Sequence, residues 1–182
     1  MEKDKIVIGD KTFVKYISEA DILKRVEELA VQIRVDYGAK DPVFIIIANG
    51  AMPFATDLIL RTEIDSEYHC VKASSYFNNM ESSCEVELYM PLPDLSERDV
   101  IIVEDIVDSG YTMQALLKRM NDFHPNSVEI ATLLSKPDAR KVEINPKYIG
   151  FIIQPLFIIG YGLDFAQKGR YLKDIYILEE KK

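Results

Sequence analysis

The sequence is short of the residues that carry metal and redox chemistry. Its 182 residues include two cysteines, Cys70 and Cys84, and two histidines, His69 and His124. No CxxC spacing joins the cysteines, so they are expected to be free thiols. The histidines are far apart and lack metal-ligand spacing. No apolar run approaches the roughly 18 residues of a membrane span, so no membrane partner is expected. The start, MEKDKIVIGDK, is charged and has no apolar signal stretch, which makes a cytoplasmic location the expectation. Basic residues are the minority, 22 against 30 acidic, for a net charge of −8 and a pI near 4.9. That balance argues against a broad nucleic-acid surface. Repeats, low-complexity tracts and linkers are missing too, so one domain over residues 1–182 is expected.

What is present suits a globular chain with a full core: 48% apolar and 29% charged residues. SEADILKRVEELAVQIRVDYG predicts an amphipathic helix, capped by Ser18 with Asp21 three residues on. Its inward face is Ile22, Val26, Leu29, Ala30 and Ile33, and Gly38 stops it. PVFIIIA (42–48) is a continuous apolar run, predicting a buried parallel strand. NGAMPF then leads into a short helix ending near Arg61. EYHCVKASSY (67–76) predicts a strand, residues 75–84 a mobile loop, and EVELYM (85–90) the strand returning from it. DVIIVED (99–105) predicts a strand and TMQALLKRMNDF a helix with Met113, Leu116, Leu117 and Met120 inward. SVEIATLLS (127–135), KYIGFII, LFIIG and IYIL supply later strands. Strands alternating with helices predict an α/β fold, a largely parallel twisted sheet flanked by helices. A small flap from the N- and C-terminal parts completes the expectation.

The stretch VEDIVDSGYT carries the chemistry. In open parallel sheets ligands sit at the carboxyl ends of strands, and residues 104–112 lie at such an end. Gly110 allows a close backbone approach, Ser109 and Thr112 offer hydroxyls, and the helix that follows offers free amides and its dipole. No GxxxxGK[ST] is present. Glu104 and Asp105 could hold sugar hydroxyls or the water shell of Mg2+. Asp108 beside a phosphate is electrostatically costly unless it has a task such as taking a proton. The plain alternative is that Asp108 or Ser109 caps the helix and the other two acids are solvated.

VIIVEDIVDSGYTM resembles the phosphoribosyl pyrophosphate signature of the type I phosphoribosyltransferases. IANGAMPFATDL is similar to their pyrophosphate loop, KASSYFNNM to their mobile catalytic loop and LLSKPDARK to a purine-recognition lysine segment. LFIIGYGLDFAQKGRYL resembles the purine-stacking and terminal segment of the hypoxanthine-guanine branch. The resemblance runs in order from about residue 40 to the end. It implies transfer of a phosphoribosyl group from phosphoribosyl pyrophosphate to a purine base, with Mg2+ as cofactor, in a homodimer or homotetramer. It implies that Asp108 accepts the purine proton, that Glu104 and Asp105 serve the ribose hydroxyls and the metal, and that Asp108, Ser109, Gly110, Tyr111 and Thr112 hold the 5-phosphate. Lys136 would donate to the 6-oxo group, Phe157 would stack on the base, Ile158 would offer backbone groups to its edge, and Asp164 would serve the purine and metal region. Asn49, Gly50, Arg170 and Arg140 would meet pyrophosphate, while Ser74, Ser75 and Tyr76 close over the centre. The family commonly has a basic residue where Asn49 stands and often a cis peptide at what is here Ala48–Asn49. Two other classes compete: a regulatory nucleotide-binding protein without the chemistry, and a phosphohydrolase or receiver-like domain built on EDIVD. The first leaves Asp108, Lys136, Asp164 and Arg170 without a catalytic task, and the second gives no role to Phe157 or Arg170.

Overall fold

The computed structural model describes residues 5–77, 84–88 and 92–179, the side chains of 73–77 and 84–88 excepted. Its centre is a six-stranded sheet. Strands β3 (Val43–Ala48), β4 (Glu67–Phe77), β6 (Asp99–Val107), β7 (Ser127–Ser135) and β8 (Tyr148–Ile152) run parallel, and β5 (Cys84–Leu88) lies antiparallel on β4. The order is β5-β4-β3-β6-β7-β8. Helix α1 (Glu19–Tyr37) and α2 (Met52–Thr62) cover one face, and α3 (Tyr111–Met120) the other.

The apolar runs are continuous because these strands are covered twice. On β3, Phe44 and Ile46 join the α1/α2 core while Val43, Ile45 and Ile47 join the α3 core. On β6, Ile101 and Val103 face one way, Val100 and Ile102 the other. The α1 cap is as expected: Ser18 Oγ accepts from Asp21 N at 3.2 Å, and Ile22, Val26, Leu29, Ala30 and Ile33 are buried.

A second, antiparallel sheet has the order β1-β2-β10-β9, from β1 (Lys5–Ile8), β2 (Lys11–Ile17), β9 (Ile158–Ile159) and β10 (Ile175–Leu178). The N- and C-terminal segments thus build the expected flap jointly, with Phe13, Ile159 and Tyr176 as its core.

Three expectations change. Strand β6 does not end at Asp105 but runs on to Val107, so Ile106 and Val107 are strand residues too. The reason is register: Glu104 still pairs with Thr132, and Val107 with Ser135. Residues 75–77 and 84 are strand rather than loop, since Phe77 pairs with Cys84; residues 78–83 lie outside the described residues. Helix α3 stops at Met120, and Asn121–Phe123 is a single 3-10 turn.

Candidate functional site

The strand order reverses between β3 and β6: from β3 the chain steps outward to β4, then returns to β6 on the other side. Such a switch point opens a crevice at the carboxyl ends of the two strands. The loop after β3 carries Asn49 and Gly50, and the loop after β6 carries residues 108–110. The two halves touch. A Cβ on Gly50 would fall 1.8 Å from Asp105 Oδ2, so only glycine fits beneath that carboxylate. The Ala48–Asn49 peptide is cis, and Asn49 is exposed.

The 108–112 loop is built to leave amides open. Gly110 is the N-cap of α3 with φ 88, and no side chain caps the helix. Neither Asp108 nor Ser109 therefore takes the simple capping role. The loop is pinned by Lys141 N donating to Ser109 O at 2.9 Å. A Cβ on Gly110 would approach Val142 Cγ2 to 2.9 Å. A concavity of about 120 Å³ lies along Glu104, Asp108, Ser109, Gly110 and Thr112. With no side-chain cap among the described residues, the first-turn amides and the helix dipole suit an anion there.

Asp108 and Lys136 are brought together. They follow the paired residues Val107 and Ser135 on adjacent parallel strands, and Lys136 Nζ lies 2.8 Å from Asp108 Oδ2. The lysine side chain is 9% exposed and the carboxylate 51%. A buried ammonium thus meets an open carboxylate on the crevice rim. Lys136 N also donates to Val107 O at 3.0 Å, which fixes the lysine to the end of β6.

Among the described residues, neither Glu104 nor Asp105 forms a salt bridge. They accept from backbone, Asp105 N to Glu104 Oε1 at 3.1 Å and Ile106 N to Asp105 Oδ1 at 2.8 Å, and the two side chains also hydrogen-bond each other. Burial, then the charge of Asp105, pushes the Glu104 carboxyl well above the carboxylate range. Burial raises Asp105 as well, against the pull of the hydrogen bond with Glu104, then of backbone amides and the Arg170 guanidinium. Two buried carboxylates without a cation suit a divalent metal or sugar hydroxyls. Among the described residues no three His, Cys, Asp or Glu side chains converge.

Phe157 is 49% exposed, and its other side rests on Phe165, edge to face at 5.9 Å, and Phe13 at 6.3 Å. Sequence reasoning missed both supports. Phe165 lies inside the quoted terminal segment, whereas Phe13 comes from β2 and no motif marks it. Ile158 sits on β9, the outer strand of the second sheet, paired with Ile177.

Arg170 and Asp164 form a pair not foreseen. Arg170 NH2 lies 2.6 Å from Asp164 Oδ1, and NH1 donates to Gly162 O at 2.7 Å. Asp164 Oδ2 also accepts from Gln167 N at 2.8 Å. The guanidinium expected to grip pyrophosphate is here engaged by the acid expected to serve the metal. Arg140 NH2 donates to Ser135 Oγ at 2.7 Å, bracing the end of β7, and its Nε is buried without a partner. Ser74, Ser75 and Tyr76 lie on β4; their side chains fall outside the described residues.

An open α/β sheet with a glycine-bearing loop at a helix start and a buried acid pair at its switch point defines a sugar-phosphate or nucleotide-binding protein. Residues 16–166 match the phosphoribosyl transferase domain family. The chain is 38% identical to the hypoxanthine-guanine phosphoribosyltransferase of Bacillus subtilis over 164 residues, 90% of this chain and 91% of that protein. It is also 38% identical to the bifunctional protein TilS/HprT of Listeria monocytogenes, of which it spans 25%. A crystal structure of a hypoxanthine-guanine phosphoribosyltransferase from Bacillus anthracis superposes with a TM-score of 0.85 at 38% identity, covering 90% of this chain and 96% of that one. The chain belongs to the phosphoribosyltransferase family, and within it to the hypoxanthine-guanine phosphoribosyltransferases. No helix among the described residues is long and apolar enough to cross a membrane.

Proposed function

We propose that this protein joins hypoxanthine or guanine to phosphoribosyl pyrophosphate, giving the nucleoside monophosphate and pyrophosphate. The observation that carries it is the Asp108–Lys136 pair, 2.8 Å apart on the crevice rim. A 6-oxopurine presents an imidazole N–H beside a carbonyl. A carboxylate next to an ammonium is the complement of that edge. Adenine would instead turn an amino donor toward Lys136.

In this reaction the purine nitrogen bonds to the anomeric carbon while the carbon–oxygen bond to pyrophosphate breaks. Asp108 takes the proton released from the imidazole ring. Ser109, Gly110, Tyr111 and Thr112 hold the 5-phosphate on the amides of α3, and Glu104 and Asp105 the ribose hydroxyls. Phe157 carries the base on its open face, Ile158 offers backbone to the base edge, and Lys136 fixes the 6-oxo group. Asn49, Gly50 and Arg170, with Arg140, Ser75 and Tyr76, attend the pyrophosphate. Glu104, Asp105 and Asp164 would hold Mg2+, which when bound neutralises the departing diphosphate. On this proposal the enzyme serves purine salvage as a cytoplasmic homodimer or homotetramer, one domain over residues 1–182.

The test is a panel of hypoxanthine, guanine and adenine with phosphoribosyl pyrophosphate, with and without Mg2+, following nucleotide formation. IMP and GMP are expected, with Mg2+ required and AMP negligible. Absence of nucleotide from both oxopurines would overturn the proposal.

A further inference from the structure

The turn after β9 presses on the loop after β3. A Cβ on Gly162 would lie 2.0 Å from Gly50 O and 3.0 Å from Pro53 Cδ, so the two backbones meet there. Gly50 is therefore held between Gly162 on one side and the Asp105 carboxylate on the other. Tyr161, just before this contact, has φ 47. Non-glycine residues rarely adopt that left-handed backbone, so the surroundings must enforce it.

Two bonds do so. Tyr161 N donates to Leu172 O at 2.7 Å. The buried Tyr161 hydroxyl donates to Asp57 Oδ2 at 2.5 Å. Asp57 sits on α2, the helix that begins at Met52 directly behind the Asn49–Gly50 loop. Its other oxygen accepts from Arg61 NH1 at 2.8 Å, and Arg61 Nε faces Glu27 of α1 at 3.6 Å. Burial, then the bond to Asp57, raises the tyrosine pKa, which keeps the hydroxyl a donor. A short bond to a charged acceptor is among the stronger hydrogen bonds a protein makes.

We infer that Tyr161 and Asp57 are positioning residues, a latch that registers the Asn49–Gly50 loop against the turn bearing Asp164 and Arg170 and so sets the grip on the diphosphate. The ligand assignment rests on the proposed function; the latch itself rests on the contacts. Neither residue is placed against substrate. The purine platform has a support outside that turn, Phe13 of β2, 6.3 Å behind Phe157. Loosening the latch therefore affects diphosphate and purine unequally.

Tyr161→Phe keeps the ring in the core and removes only the hydroxyl; Asp57→Asn removes the charge. Michaelis constants for phosphoribosyl pyrophosphate, for pyrophosphate in the reverse reaction and for purine are measured for each variant and for the pair. The two diphosphate constants are expected to rise about tenfold and the purine constant to stay within about twofold, with the double variant no worse than the worse single one. Hydrogen exchange of the Ala51 and Met52 amides, bonded to Ile47 O and Asn49 O, is expected to quicken in Tyr161→Phe. Unchanged diphosphate constants, or an equal rise for purine, would overturn the latch. If Asp57→Asn does not fold, Tyr161→Phe alone decides. If the unaltered enzyme forms no nucleotide, the proposed function falls and the exchange rates alone decide the latch, unchanged rates overturning it.

Discussion

Replacing Phe157 by leucine tests whether its open face carries the purine. A phenylalanine side chain spans about 150–250 Å², so 49% exposure leaves roughly 100 Å² open. A flat base on one face covers about half of that, worth about 1.2 kcal/mol at roughly 25 cal/mol per Å². Offset stacking adds about 0.5–1.5 kcal/mol. Leucine keeps some apolar area but offers no flat face. Phe157→Leu is therefore expected to weaken purine binding by about 1–2 kcal/mol, roughly five- to thirtyfold. The contacts with Phe13 and Phe165 lie behind the ring, so Phe157→Tyr should stay within about twofold. The assay is steady-state kinetics with hypoxanthine varied, then phosphoribosyl pyrophosphate varied, with kcat recorded in both. A raised purine KM at steady kcat marks lost binding of the base. A leucine variant with unchanged purine KM, or equal rises for both substrates, would refute the reasoning.

Asp108→Asn keeps the shape and removes the proposed proton acceptor; turnover should fall about 10²- to 10⁴-fold while phosphoribosyl pyrophosphate affinity, read by calorimetry, holds. Lys136→Ala should raise the purine KM and leave phosphoribosyl pyrophosphate affinity in place; unchanged purine kinetics would remove its assigned role. Asn49→Lys adds a cation at an exposed point of the pyrophosphate loop and should tighten pyrophosphate inhibition, most clearly at low salt. Away from the site, the Tyr148 hydroxyl, then Lys147, holds the Asp36 carboxyl below its usual value. A lowered folded pKa means stability present above the unfolded pKa, about 3.9, and lost as pH falls through the folded one. The melting-temperature gap between the protein and its Asp36→Asn variant should be open at pH 7 and closed in strong acid.

The central strands were legible because burial on both faces leaves a continuous apolar run, as in residues 43–48 and 100–103. The two N-terminal flap strands were not read as strands, whereas LFIIG and IYIL were. Lys5–Ile8 alternates exposed and half-buried residues, and β2 finds its partner β10 some 160 positions away: Phe13 pairs with Leu178. Nothing local announces such a pairing. Within the site, Asp108 and Lys136 each stood out by type and place. Their ion pair did not, since it follows from parallel register, each residue lying one step beyond a paired position. Arg170 and Asp164 were both marked, but their mutual pairing depends on a chain of left-handed turns at Tyr161, Gly162, Ala166, Gln167 and Gly169. Phe13 lay outside every motif, and Asp57, though inside IANGAMPFATDL, was not marked as a site residue, because each contacts another side chain, Phe157 and Tyr161, behind the crevice.

The most direct measurement is a crystal structure with a purine mononucleotide bound. The phosphate is expected against the amides of residues 109–112, the base on the open face of Phe157, and the 6-oxo oxygen within hydrogen-bond distance of Lys136 Nζ. A nucleotide seated elsewhere, with the crevice between β3 and β6 left to solvent, would contradict the account.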